Sequence, residues 1–215
     1  EIHLTDNGKG NIHESLEAKG NFELQMRSIF GGNDHEVRTA LERRAKNSFD
    51  AESVGEFKVT RKDDFSQPFR LSDEIKNSGA VVTSLQDAAV RLSNGFVFED
   101  LPFALAPQRL TVNEEQKLRK HDFAVQTPYH SEVHFKIYPP ADFNANQLPT
   151  PQHFETQAAN YSSESKRDKD GTIDVDYRFE LNSRRLTPAE FEALRSELKK
   201  TANDNGQLLV FAYRG

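Results

Sequence analysis

The chain has 215 residues, of which 35% are hydrophobic and 29% charged, and its formal net charge is -6. The length suits one large domain or two small ones, and the acidic balance argues against nucleic-acid binding, since phosphate contacts need clustered Lys and Arg. The absence of cysteine excludes disulfides, thiolate zinc sites and cysteine nucleophiles. No apolar run approaches the roughly 20 residues of a membrane-spanning helix. Because the chain begins with Glu1 rather than Met, we expect it to be a piece of a longer protein.

The first 50 residues predict a β-hairpin followed by two helices. Asn7-Gly8 is a turn signal between two runs of alternating apolar and polar residues. Asn33 and Glu36 have the spacing of a capping box at the start of the second helix. The predicted apolar stripes are Phe22, Met26, Ile29 and Phe30 in the first helix and Val37, Ala40 and Leu41 in the second, where Arg43, Arg44 and Lys46 form the predicted solvated face.

In residues 51–110 apolar and polar side chains again alternate with a period of two, which predicts a series of strands. Val54, Phe57 and Val59 begin the alternation, and further strands are expected within 69–79, 80–92 and 96–110. Gly79, Asn94-Gly95, Pro102 and Pro107 separate these segments.

The stretch HSEVHFKIYPP, residues 130–140, raises the question of a metal site, because a helix would place His130 and His134 on one face. Strict alternation predicts a strand instead, with Val133, Phe135 and Ile137 buried and both histidines on the polar face. Residues four apart on a strand are separated by about 13 Å. Two zinc ligands must each lie about 2 Å from the ion, so the sequence excludes a zinc ion shared by these histidines.

Residues 162–181 predict a hairpin that turns at Asp170-Gly171, with Ile173, Val175, Tyr177 and Phe179 on one face. Four aspartates near its tip suggest a calcium site, but the EF-hand spacing is absent and a polar hairpin tip is favoured. These aspartates are Asp168, Asp170, Asp174 and Asp176.

The end of the chain predicts a helix and a final strand. The helix is expected from Pro188 to Asn203, with Thr187 as its N-cap and Glu190 completing a capping box. Its predicted inward side chains are Phe191, Leu194 and Leu198. The continuous apolar run LLVFAY, residues 208–213, predicts a buried strand.

Three segments of the second half together resemble the C-terminal region of bacterial transglutaminase-like multidomain proteins, those with an N-terminal β-rich domain of unknown function. They are LRKHDFAVQTPYHSEVHFKIYPP (118–140), NQLPTP (146–151) and YRFELNSRRLTPAEFEALRSEL (177–198). Residues 2–30 are similar to the segment that follows the papain-like core of such proteins. The resemblance implies a periplasmic, cell-envelope or secreted protein and a partner that is the transglutaminase-like core of its parent chain or another protein.

The family's catalytic core uses a Cys-His-Asp triad, and this chain has no cysteine to match it. No G-x-S-x-G, H-E-x-x-H or phosphate-loop motif occurs in the sequence either. We therefore predict that the isolated chain is not an enzyme, with no catalytic, cofactor-binding or metal-ligating residue and no cofactor.

The predicted fold is mostly β, of the α+β type, with β-sandwich-like sheets, two short helices near the N-terminus and one C-terminal helix. A small α+β segment at 1–79 and a β-sandwich-like segment at 80–215 are expected, either as two domains or as one compact unit. The first functional hypothesis is a non-catalytic accessory or binding module, and the alternative is a carboxylate-dependent hydrolase. A cleft with two facing acids of unequal pKa would favour the hydrolase, and a convex surface or a shallow sheet face with exposed aromatics would favour the module.

Overall fold

The computed structural model describes residues 1–106, 119–202 and 207–214. The fold is mostly β, with two helices near the N-terminus and one near the C-terminus, and the predicted class is confirmed. The described residues form two compact units: unit 1 lies within Glu1–Val90, Lys136–Asn146 and Val210–Gly215, and unit 2 within Arg91–Phe135 and Gln147–Leu209. The predicted boundary after residue 79 stays a prediction. No helix in the described ranges is long and apolar enough to cross a membrane.

The elements are numbered along the chain. The α-helices are α1 (Asn21–Ile29), α2 (Asp34–Phe49) and α3 (Pro188–Ala202). The strands are β1 (Ile2–His3), β2 (Gly8–Ala18), β3 (Ala51–Val59), β4 (Phe69–Thr83), β5 (Asp87–Arg91), β6 (Phe123–Ala124), β7 (Tyr129–Tyr138), β8 (Phe143–Ala145), β9 (Gln152–Glu155), β10 (Ala159–Arg167), β11 (Ile173–Leu181), β12 (Arg185–Leu186) and β13 (Leu208–Tyr213).

The sheet of unit 1 is built around the long strand β4. β2 pairs antiparallel with one side of β4, and β3 and β5 pair antiparallel with the other. β1 forms the predicted hairpin with β2 and also pairs in parallel with the end of β7, where Ile2 lies opposite Ile137. Gly79 does not end a strand as predicted, because Asn77 adopts a φ of 52° and a register shift lets β4 continue past it.

The helices of unit 1 follow the sequence pattern with two corrections. The capping box of α2 is confirmed, with the Asn33 side chain accepting from the backbone N–H of Glu36. In α1 the predicted stripe is wrong at Ile29, which is 49% exposed, while Arg27 is buried and donates to the carbonyl oxygens of residues 61 and 67. In α2 Arg44 is half-buried rather than solvated, because it forms a bidentate ion pair with Glu14 of β2.

Unit 2 contains the strand order β7-β11-β10-β9 and the small β6-β12 ribbon. The hairpin β10-β11 is confirmed, with nine register pairs and the predicted side chains of β11 buried. The cap of α3 is also confirmed: Thr187 Oγ1 accepts from the Glu190 N–H at 3.3 Å, and Glu190 Oε2 accepts from the Thr187 N–H at 2.7 Å. Phe191, Leu194 and Leu198 are buried as predicted, and the predicted helix end at Asn203 lies outside the described residues.

β7 is the strand that the alternation predicted. Phe135 and Ile137 are buried, and His130 and His134 are exposed on the opposite face. The prediction was wrong for Val133, which is only half-buried, so the apolar side of the strand is covered less completely at its middle than at its end.

Two predicted strands differ from the structure. Within 96–110 the chain forms two 3-10 helices, Asn94–Phe98 and Phe103–Leu105, and residues 107–110 lie outside the described ranges. At the start of the first helix the Ser93 side chain accepts from the Gly95 N–H, and at its end Phe98 contacts the rings of Tyr161 and Phe179, from distant strands. β13 is not continuously buried: Leu209 and Phe211 are buried and Leu208 is exposed on the opposite face, as strand alternation requires, while Tyr213 is exposed at the end of the strand.

Candidate functional site

One face of the unit 2 sheet carries ionisable side chains from three neighbouring strands. β10 and β11 are in direct register here, with Glu164 opposite Asp176 and Lys166 opposite Asp174, and cross-strand partners project to the same side. We call this surface the charged face. Its members are His130, Glu132 and His134 of β7, Glu164 and Lys166 of β10, and Asp174, Asp176 and Arg178 of β11.

His134 lies between two carboxylates of β11. Its Nδ1 is 2.7 Å from Asp176 Oδ1, and its Nε2 is 3.3 Å from Asp174 Oδ1. A neutral imidazole carries one N–H, whereas an imidazolium can donate from both nitrogens. The ring is therefore oriented by two acids, and it contacts carboxylates here rather than a hydroxyl that it could activate as a nucleophile.

Asp174 is the buried member of the charged face. Its side chain is 5% exposed, and its second oxygen lies 3.2 Å from Lys166 Nζ. The hydrogen bond to Asp174 raises the pKa of Lys166, whose own side chain is 67% exposed. A buried carboxylate is costly unless it is paired, and His134 and Lys166 provide that pairing.

The other end of the charged face is more open. Glu132 Oε1 lies 3.0 Å from His130 Nε2 and 3.5 Å from Arg178 Nε, and all three side chains are more than half exposed. Basic and acidic side chains thus alternate across the face from His130 to Lys166. Such a surface can exchange its internal ion pairs for pairs with a charged partner.

His130 and His134 do not approach a common position from which both could bind one metal ion. His130 contacts Glu132, while His134 contacts Asp174 and Asp176. At the hairpin tip, Asp170 accepts from the Thr172 N–H at 3.0 Å, as a turn residue does. Within 1–106, 119–202 and 207–214, no group of three or more His, Asp or Glu side chains is arranged to hold a metal ion.

A pair of acids that the sequence analysis missed lies in unit 1. Asp73 of β4 is directly opposite Glu14 of β2, and Glu14 is held by Arg44 of α2, with 2.7 Å between Nη2 and Oε1. Asp73 is 5% exposed, and its Oδ1 has no hydrogen-bond partner among the described residues. Burial raises the pKa of Asp73 from 3.8 to about 6; Glu14 adds to the rise and Arg44 opposes it.

A sequence signal for Asp73 did exist. The buried, alternate positions of β4 are Phe69, Leu71, Asp73 and Ile75, so that an acid occupies a position where the alternation places apolar side chains.

The acid pair lies between the sheet and α2. Two open cavities of about 600 and 510 Å³ occur in unit 1, and neither is lined by Asp73 or Glu14.

Comparison with known proteins identifies a family across the second half. The family model described as "Domain of Unknown Function with solved-structure structure (DUF3858)" matches residues 95–211, more than half of the chain and all of the charged face. A solved structure of a putative protease from Parabacteroides distasonis ATCC 8503 is similar, with 18% identity and a TM-score of 0.41. The similarity covers 59% of this chain and 23% of that one, so this chain spans less than a quarter of that protein. No curated protein matches the chain.

Proposed function

The chain belongs to the DUF3858 family of unknown function, and on that premise we propose that it is a non-catalytic binding module that uses its charged face to hold a protein partner. The observation that supports this most is the alternation of basic and acidic side chains over three strands of one sheet, most of them more than half exposed. Exposed ion pairs contribute about 0 to 1 kcal/mol to stability. The fold therefore loses little when Glu132, His130 and Arg178 turn to a partner, whereas the buried Asp174 keeps its own pairing.

The proposed partner is the transglutaminase-like core of a parent protein in the bacterial periplasm, cell envelope or extracellular space. Support comes from the sequence resemblance, whose segments 118–140 and 177–198 include all of β7 and part of β11. A face of mixed charge suits such a role, because complementary charges set orientation and partner choice more than raw affinity.

The experiment begins with the coding sequence on either side of this segment. The region encoding any Cys-His-Asp core would be expressed separately, and its binding to this chain would be measured by isothermal titration calorimetry at low and high salt. We expect binding that weakens with salt and falls at least tenfold when His130→Glu and Arg178→Glu are combined, since both positions are exposed and the pairing of buried Asp174 stays intact. Lys46→Glu, an exposed charge reversal on α2, is the matched control and should bind as the parent does.

Two outcomes would count against the module. Binding that is unchanged by the double substitution would remove the charged face from the interaction. A complete lack of binding to the separately expressed core would remove the proposed partner.

A second candidate function, a carboxylate-dependent hydrolase, is favoured by one observation. Asp73 and Glu14 are adjacent acids in unequal surroundings, because one is buried without a full set of partners and the other is paired with Arg44. Unequal acids are the arrangement that general acid–base catalysis uses. Their position beneath α2 argues against substrate access. Amine incorporation, peptide hydrolysis and glycoside hydrolysis should be assayed on the parent and on Asp73→Asn, since turnover lost in the variant alone would favour the hydrolase.

A further inference from the structure

β3 is an edge strand of unit 1. In the described ranges of the chain it pairs with β4 and with no other strand. The edge of a sheet presents unpaired N–H and C=O groups, which makes it a template for another strand.

One hydrogen bond fixes which groups of β3 face outward. The Thr60 N–H donates to the Arg70 carbonyl at 2.8 Å, so Thr60 is a hydrogen-bonded position of the antiparallel pair. Alternation makes Lys58, opposite Ser72, the next such position. The N–H and C=O groups of Phe57 and Val59 therefore point away from β4, toward the free edge.

Arg38 of α2 closes the upstream end of this edge. Its Nη1 and Nη2 donate to the carbonyl oxygens of Val54 at 2.8 Å and Gly55 at 3.2 Å, and its guanidinium lies 5.1 Å from the centre of the Phe57 ring. The register shift between Val54 and Phe57 lies at the same place. The open part of the edge thus begins at Phe57.

A groove runs along this open edge beside α2. It has a volume of about 600 Å³, and its apolar lining comes from Phe30, Val37, Phe57 and Val59. We call it the β3 groove. Its volume lies in the range of ordinary binding pockets. It joins apolar side chains to unpaired main-chain groups, a combination that suits a polypeptide strand better than a compact small molecule.

The charges lining the β3 groove differ between its two ends. Lys62, at the downstream end, has no ion-pair partner among the described residues, whereas its neighbour Arg61 is held by Asp63 at 3.0 Å. Glu56 lies at the upstream end, next to the residues that Arg38 caps. Asp34 also lines the groove, but it sits in the first turn of α2, where the helix dipole stabilises its charge. The unpaired cation at Lys62 is complementary to an acidic side chain.

We propose that the β3 groove binds an extended peptide segment of a partner protein, which adds to the sheet as a strand beside Phe57 and Val59 and places an acidic side chain on Lys62. Main-chain pairing supplies the affinity in this mode of recognition, and the side-chain pockets supply the selectivity. The inference is independent of the charged face, because every residue it uses lies in unit 1.

Hydrogen exchange on the full chain tests the edge itself. In the free protein the amides of Phe57 and Val59 should exchange at least tenfold faster than those of Lys58 and Thr60, which are bonded to β4. Slow exchange at Phe57 and Val59 in the free protein would show that the edge is already covered and would overturn the proposal.

A displayed library of random nonapeptides, selected on the full chain, tests the occupant. The enriched peptides should carry an acidic residue, slow the exchange of the Phe57 and Val59 amides, and bind at least tenfold more weakly to Val59→Pro and to Lys62→Glu. Val59→Pro removes one outward N–H at an edge position, where proline is tolerated. Val59→Thr keeps that N–H and should bind as the parent does.

The remaining outcomes are equally decisive. If Val59→Pro does not fold, the exchange measurement on the parent and the Lys62→Glu comparison carry the test. Failure to enrich any peptide that protects the two outward amides would refute the assignment, and so would peptides that bind Lys62→Glu as tightly as the parent.

Discussion

Replacing Asp73 with asparagine should stabilise the protein at neutral pH. Asp73 occupies a buried position of β4, beside Glu14 and with one oxygen that has no hydrogen-bond partner among the described residues. At pH 7.5 its carboxylate is ionised in both the folded and the unfolded chain, and the folded state carries the cost of that buried charge. Asparagine has nearly the same shape and removes the charge.

The magnitude follows from the pKa of Asp73, which rises from 3.8 to about 6 on folding. Because the folded pKa is higher, the folded state binds more protons between about pH 4 and pH 6, and its stability falls as the pH rises through that window. The difference between 3.8 and about 6 corresponds to about 3 kcal/mol. The attraction of Arg44 is already contained in that pKa, and partial screening by water reduces the expected gain for Asp73→Asn to about 1 to 2 kcal/mol at pH 7.5.

Urea denaturation at pH 4.0 and pH 7.5 measures the effect. The difference in unfolding free energy between Asp73→Asn and the parent should be near zero at pH 4.0 and favour the variant at pH 7.5. Glu74→Gln is the matched control, since Glu74 is the next residue and forms a more exposed pair with Lys76. If Asp73→Asn is less stable than the parent at pH 7.5, or its advantage is the same at both pH values, the argument from burial is wrong.

Three further changes test other parts of the structure. Phe135→Ala should cost about 3 to 5 kcal/mol in urea denaturation, since Phe135 is 9% exposed and contacts the rings of Phe96 and Tyr177; a cost below about 1 kcal/mol would contradict its place in the core. Thr187→Ala should cost about 1 kcal/mol through the lost cap, with Thr187→Ser as control, and equal thermal melts of Ala variant and parent would refute the cap. His134→Gln should change the unfolding free energy by less than about 1 kcal/mol, because the side chain is 54% exposed and Lys166 still pairs with the buried Asp174; a loss of several kcal/mol would mean that the charged face is structural.

Local patterns in the sequence determined much of the secondary structure. The hairpin β10-β11, the strand β7 and the capped helix α3 all form as the alternation, turn residues and capping box predict. Each signal concerns residues close along the chain, so its physical cause is contained in the segment itself. The same reasoning excluded a zinc ion shared by His130 and His134, because strand geometry alone separates them.

Only the tertiary structure decided which distant side chains meet. The ion pair of Arg44 with Glu14 joins residues 30 positions apart, and it turned a predicted solvent-facing arginine into a partner for the acids of β2 and β4. Phe98, in a segment whose pattern predicted a strand, lies in a 3-10 helix and contacts the rings of Tyr161 and Phe179. The charged face depends on the register between strands, and the open edge of β3 depends on which strands do not pair with it. These features arise from contacts between segments that no local period encodes, and the free energy of those contacts overrides local propensity.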